Sequence, residues 1–247
     1  MSHDDPSTLR ASDFSALAAS RFSTRDFLSD PVPEEILQEI LSDATTAPSW
    51  SNTRPYKLAL AVGENAERLR RLYTAEFERV IPLTHKSRRP LIKMILQGAV
   101  PDGDYGAWKT YPADLIPRSQ AVGKALYTHL NIAREDREAR DEAMRANFRA
   151  FNAPVIGLVL THKKFPYMSQ LDAGLMLQTL FLSAKAHGVD SCALGGLATW
   201  RRVAAQVFEL PDNYGIITGF ALGYASDAHV NSFRAQRPPI EMVPPRF

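Results

Sequence analysis

The hydrophobic patterning of the chain predicts an α+β fold. Apolar runs of strand length, "YKLALAV", "APVIGLVLTH" and "NYGIITGFALGYA", lie at uneven intervals among helical stretches. Their spacing does not repeat as simple strand–helix–strand units, so a purely parallel α/β sheet is not expected. One long helical run, "MSQLDAGLMLQTLFLSAKAHG", is apolar nearly all round. That pattern predicts burial on several sides, against a partner as well as against its own core.

In chain order, residues 1–10 suggest a disordered lead-in and residues 11–247 a single domain. A short helix is expected from Asp13 to Ser20, with Phe14, Leu17 and Ala18 on one face. The basic loop "RFSTRDF" follows. Pro33 can start the next helix, Glu34 and Glu35 suit its positive end, and Ile36, Leu37, Ile40 and Leu41 form its apolar stripe. Pro48 stops it. "YKLALAV" is a buried strand and "ENAERLRRLYTAEFERV" an amphipathic helix. Residues 98–118, with Tyr105, Trp108 and Tyr111 among glycines and prolines, form an irregular insertion, either a lid or a packed Ω-loop. Helices are expected from Arg118 to Ala133 and over "REDREARDEAMRANFRAF", whose charge run marks a solvated face. After the second strand and the long apolar helix come a short strand with a glycine turn, "VDSCALGG", a helix in "TWRRVAAQVFEL", and the last strand. The proline-rich tail "NSFRAQRPPIEMVPPRF" cannot fold alone and should lie extended over another surface.

The bulk numbers exclude several classes. A 247-residue chain with 45% hydrophobic and 23% charged residues fits an ordinary globular protein. With 29 basic against 27 acidic side chains there is no sequence-wide electrostatic case for nucleic acid or a membrane surface. Any anion site has to be assembled locally. Cys192 is the one cysteine, and the six histidines show no zinc-type spacing, so no metal is expected. No apolar run reaches the roughly 18–20 residues of a membrane span. The polar, acidic "MSHDDPSTLR" does not resemble a signal peptide, which makes the cytoplasm the expected compartment.

Neither GxGxxG, a Walker A loop nor GxSxG occurs. Four other pieces carry chemistry. In "RFSTRDF", Arg21, Ser23 and Arg25 alternate, so an extended backbone turns two guanidiniums and a hydroxyl the same way. Such a trio can clamp a phosphate, although a basic loop alone often sits in solvent. "APSWSNTRPY" brackets short polar side chains between Pro48 and Pro55; alone it is a helix-to-strand connection. In "GVDSCALGG", Gly195 and Gly196 let backbone approach a flat ligand, or simply make a tight turn. Arg234 and Arg237 matter only if the tail folds back over an anion.

The ordered set, together with "NFRAFNAPV" and "NSFRAQRPP", resembles the FMN-dependent nitroreductase family, and within it the branch of nitrobenzene and nitrobenzoate reductases. The resemblance runs from about Ser20 to Phe247. It implies a nitroreductase-like fold, a central mixed β-sheet flanked by helices, in a homodimer with an extended C-terminal tail and FMN at the subunit interface. It implies that Arg21 and Ser23 reach the phosphate and ribityl end of FMN and that Arg25 lies near N1 and O2 of the ring. Pro48, Ser49, Trp50 and Asn52 then come from the other subunit, Asn147 and Arg149 approach the pyrimidine edge, Gly195 turns its N–H towards N5 with Gly196 continuing the turn, and Arg237, helped by Arg234, closes over the phosphate. NADH or NADPH is the implied donor, and a small nitroaromatic, quinone or similar electrophile the acceptor, in a ping-pong cycle with no protein acid or base required. Two departures bear on substrate fit: Arg54 stands where many members have glutamine, and Ala193-Leu194 where many have Pro-Glu. The alternatives are a flavin-binding or storage protein with little turnover and, inside the fold, reductive dehalogenation or flavin fragmentation.

Overall fold

A computed structural model describes residues 10–84, 98, 100–106 and 111–246. The lead-in up to residue 9 and part of the 98–118 insertion, including Trp108, lie outside the described residues.

Four strands make the sheet: β1 (Tyr56–Val62), β2 (Val155–His162), β3 (Asp190–Leu194) and β4 (Tyr214–Gly223). They are ordered β1-β2-β4-β3, and every neighbouring pair is antiparallel. The mixed sheet implied by the resemblance is therefore an antiparallel core with one parallel element, an isolated bridge from Ser23 to Ser191 at the β3 edge. Period-two side-chain alternation sorts β2 between two cores. Ile156, Leu158 and Leu160 join one cluster, and Val155 and Val159 the other. Gly157 is small because the Phe220 ring of β4 occupies the space a Cβ would take.

Among the described residues the helices are α1 (Ala11–Ser20), α2 (Glu34–Ala44), α3 (Gly63–Thr84), α4 (Ile116–His129), α5 (Arg137–Phe148), α6 (Pro166–Ala186) and the short α7 (Arg201–Ala204). Leu69 and Tyr73 of α3 and Phe148 of α5 cover one face of the sheet, with buried Trp200 among them. Leu37 and Ile40 of α2, with Met176 and Leu180 of α6, cover the other. α4 ends earlier than predicted, because Asn131 takes a left-handed φ of 55° and the Ile132 N–H bonds back to the Tyr127 carbonyl. The helix expected in "TWRRVAAQVFEL" is only one turn. The Arg201 guanidinium donates to the carbonyls of Leu210, Pro211 and Tyr214, which folds the chain back on itself.

α6 is not buried all round within the chain. Ala173, Met176, Leu180 and Ala184 are buried, while Tyr167, Leu171 and Leu175, one turn apart, stand exposed. The tail over residues 234–246 has no regular secondary structure and is exposed, including Ile240, Met242 and Val243. Of the 98–118 insertion, residues 100–106 are packed. Tyr105 donates its hydroxyl to the Thr161 carbonyl at 2.9 Å, and Asp104 accepts from the Ile216 N–H at 2.9 Å.

Candidate functional site

α1 stops at Ser20, and Arg21 takes extended φ and ψ of −72° and 126°. The next residues run along the sheet edge. The Thr24 N–H bonds to the Ser191 carbonyl at 3.1 Å, and Phe27 pairs with Ala225. The Arg25 N–H donates to Asn231 Oδ1 at 2.8 Å, while the Asn231 amide donates to the carbonyls of Asp26 and Ser226 at 2.7 and 3.1 Å. One buried asparagine thus fastens the start of the tail to the basic segment.

The consequence is a cavity of about 280 Å³ whose walls include Arg21, Ser23, Arg25, Arg234 and Arg237. All five are residues the sequence singles out, and they come from the two ends of the chain. Arg234 lies flat on Phe22, its guanidinium carbon 3.7 Å from the ring centroid, and donates to the carbonyls of Asn231 and Phe233. Arg25 donates to the Ser23 carbonyl at 3.2 Å. Among the described residues, no carboxylate forms an ion pair with any of the four arginines. Burial, and then the positive charge of Arg237, hold the Arg21 guanidinium below its usual range. Two cations facing each other in a half-buried cleft favour a bound anion. Behind Arg21 and Arg25, the Cys192 thiol is pushed up to about 11, chiefly by burial, and the arginines and Ser23 only partly oppose this. It stays a neutral thiol at pH 7. Among the described residues, the buried hydroxyl oxygens of Thr24 and Ser191 in the same strip meet no hydrogen-bond partner.

β3 leads from this cavity to the glycine turn. Ser191 pairs with Ser23, and Gly195 lies four residues further on, roughly 13 Å at the rise of a strand. A Cβ on Gly195 would meet nothing within 4 Å, so the backbone there is open to a flat ligand. Gly196 is backed by the Phe148 ring, and the Tyr73 hydroxyl holds the turn from beneath by donating to the Leu197 carbonyl at 2.6 Å. Phe148 thereby brings Asn147 and Arg149 to the neighbourhood of the turn. Asn147 donates to the Ala143 carbonyl of its own helix, and Arg149 pairs with Glu142.

The remaining predicted residues are placed elsewhere in the chain. The loop of Pro48, Ser49, Trp50 and Asn52 docks on α6, where the Trp50 N–H donates to Asp172 Oδ2 at 3.0 Å. It contains three left-handed residues, Ser51, Asn52 and Arg54. Ser49 Oγ accepts from the Arg54 N–H, and Asn52 Oδ1 from the Arg54 side chain. Trp50 is 58% exposed. The cavity lining includes none of this loop. Sequence reasoning missed Asn231, Phe22 and Asp172. A lone acid in the apolar run of α6 was the available sign for Asp172, and the place of Asn231 at the head of "NSFRAQRPP" was its sign, although its partners are distant in sequence. Among the described residues, no group of three or more His, Cys, Asp or Glu could hold a metal, and no helix is long and apolar enough to cross a membrane.

Comparison with known proteins gives this arrangement a family. The chain is 32% identical to a 4-nitrobenzoate reductase of Pseudomonas putida, over 93% of both chains. It is 30% identical to a nitrobenzene nitroreductase of Ectopseudomonas oleovorans, over 86% of both. Among solved structures it is similar to the FMN- and NADPH-dependent nitroreductase NfnB from Sphigopyxis sp. strain HMH, with a TM-score of 0.78 at 26% identity, covering 91% of this chain and 94% of that one. The model of the nitroreductase family matches residues 18–224, which takes in the basic segment, the glycine turn and the whole sheet, and the chain belongs to that family.

Proposed function

We propose that the protein is an FMN-dependent oxidoreductase that takes electrons from NADH or NADPH and reduces nitroaromatic, quinone or similar electrophilic acceptors in a ping-pong cycle. The observation that carries this is the cavity in which Arg21, Ser23, Arg25, Arg234 and Arg237 meet without a carboxylate. Its size and charge suit a single phosphate group, and the open backbone at Gly195 suits a flat ring. FMN has both ends and, once bound, supplies the two-electron chemistry.

The chain's own residues bind, orient and tune. Arg21, Ser23 and Arg237 hold the phosphate through charge-assisted hydrogen bonds, with Arg234 stiffened on Phe22 beside them. Arg25 puts a fixed positive charge towards the pyrimidine end of the ring, near N1 and O2. Gly195 offers its N–H towards N5, Gly196 keeps the turn close, and Asn147 and Arg149 flank the pyrimidine edge. A homodimer completes the site, with the partner subunit's Pro48, Ser49, Trp50 and Asn52 walling the pocket. Its support is the exposed stripe of Tyr167, Leu171 and Leu175, exposed Trp50, and the exposed Ile240, Met242 and Val243 of the tail. A cytoplasmic location fits a reductase that draws on pyridine nucleotides.

The test is simple. The purified protein should be yellow, with FMN that heat releases and mass spectrometry identifies at one per chain. NADPH or NADH added without acceptor should bleach the flavin band. Stoichiometric FAD, or no flavin after reconstitution, overturns the proposal. Bound FMN that neither donor bleaches would instead favour a storage protein. Light scattering should give a dimer, whose interface is expected above about 2,000 Å².

A further inference from the structure

A second concavity lies outside the arginine-lined cavity, between α4 and α5. It holds about 680 Å³ and is lined by Gln120, Lys124 and Thr128 of α4, one turn apart, with Tyr127, Arg134 and Arg140. Ligand pockets commonly span roughly 300–1,000 Å³. Its described lining contains three cations and no carboxylate. Asp136, which caps α5, and Glu138, Asp141 and Glu142 within it line a separate cavity.

Arg140 is held ready. Its guanidinium carbon lies 5.1 Å from the centroid of the Tyr127 ring, and Nη1 donates to the Arg134 carbonyl at 3.0 Å. No carboxylate among the described residues pairs with it. A guanidinium has five N–H donors in a planar fork that matches carboxylate and phosphate oxygens. A side chain already stacked and anchored loses less freedom on binding. Tyr127 and Ile132 add apolar wall for a ring. The pocket also lies near the arginine-lined cavity. It shares Lys124 and Thr128 with a second cavity along α4, which in turn shares Phe233 and Arg234 with the clamp. Among the described residues, none of the three linings includes an acid.

We propose that the α4–α5 pocket receives the anionic end of one of the protein's two redox substrates, a flat ring carrying a phosphate or a carboxylate. Two sources share that chemistry: the phosphorylated adenosine half of NADPH, and an aryl carboxylate acceptor. This rests on the oxidoreductase function proposed above, and it makes Arg140 a specificity residue.

The experiment compares FMN-loaded wild type with Arg140→Gln and Arg140→Lys. It measures kcat/KM for NADPH against NADH and for 4-nitrobenzoate against nitrobenzene. In parallel, adenosine 2′,5′-bisphosphate and 4-nitrobenzoate are titrated calorimetrically into the same proteins. One of the two ratios should fall about tenfold or more in Arg140→Gln, as loss of a charged hydrogen bond predicts, and Arg140→Lys should recover part of it. A fall in the first ratio, with weaker bisphosphate binding, assigns the pocket to the donor's phosphate. A fall in the second, with weaker nitrobenzoate binding, assigns it to the acceptor's carboxylate. Both ratios unmoved in a protein that NADPH still bleaches would overturn the pocket and leave the oxidoreductase function standing. If NADPH fails to bleach even the wild type, that function fails, and the titrations alone decide the pocket: a probe that binds the wild type and is lost in the variant supports it, and no binding overturns it. Lys124→Gln serves in the same assays should Arg140→Gln not fold.

Discussion

Arg201 and Arg202 sit among carboxylates, whereas Arg21 and Arg237 face each other without one. Arg201 meets Asp104 at 3.0 Å, Lys163 meets the same carboxylate at 2.7 Å, and Arg202 pairs with Asp102 and Glu76. Burial alone would raise the Asp104 carboxyl, but hydrogen bonds from Lys163, the Ile216 N–H and Arg201 outweigh it and hold the group below the usual carboxylate range. That knot fastens residues 100–106 to the ends of β2 and β4. The clamp is built from the same residue type with the counter-charge left out. Arg201 and Arg202 are answered by carboxylates from within the chain; Arg21, Arg25, Arg234 and Arg237 are not, among the described residues.

This contrast can be broken at either end. The largest expected effect is at the knot. Asp104→Asn removes the shared partner of two cations at a nearly buried site and should cost about 3 kcal/mol. For a chain of this size that is roughly 6–12 °C in thermal unfolding. The sign of its pH dependence follows from the lowered carboxyl. A group whose pKa is depressed in the folded state contributes fully above its unfolded value, and the contribution is lost as pH falls through the folded one. The stability gap between wild type and Asp104→Asn should therefore be widest near neutral pH and close in acid. A gap that widens in acid would contradict the assignment of the knot.

At the clamp, charge added from outside should stabilise. Inorganic phosphate at about a hundred times its Kd should raise the stability of flavin-free protein by about 2.7 kcal/mol. Thermal scans should show that shift in the wild type and in Asp104→Asn, and lose it in Arg21→Gln. An equal shift in Arg21→Gln would put the anion elsewhere. Arg237→Ala should leave flavin-free stability nearly alone and weaken FMN binding by about tenfold or more, the value of a charged hydrogen bond. Fluorescence titration of released flavin measures it, and unchanged affinity would shift the phosphate contact to Arg234. The smallest effect separates the two ends of the clamp. Arg25→Ala should lower the midpoint potential of bound FMN by about 30 mV, equivalent to about 1.4 kcal/mol for two electrons. A potential that stays or rises in a dye-referenced titration would move Arg25 away from the pyrimidine end.

Local periodicity made much of this molecule legible in advance. The alternation of Arg21, Ser23 and Arg25 has a period of two and needs only an extended backbone to face one way. The apolar runs of β1, β2 and β4 and the stripe of α2 follow from the same short-range rules, and the motif order from the basic segment to the tail was enough to suggest the family. Other features depend on contacts that no local pattern carries. Asn231 joins the tail to the basic segment from the far end of the chain, and with Arg234 stacked on Phe22 it brings Arg237 opposite Arg21. α7 is one turn long, and the Arg201 side chain ties the chain that follows it back through the carbonyls of Leu210, Pro211 and Tyr214. The insertion around Asp104 packs because Lys163 and Arg201 converge on one carboxylate from β2's end and α7. Short-range order sets which way a side chain can face; which distant group it then meets is a matter of how the sheet and its helices close around it.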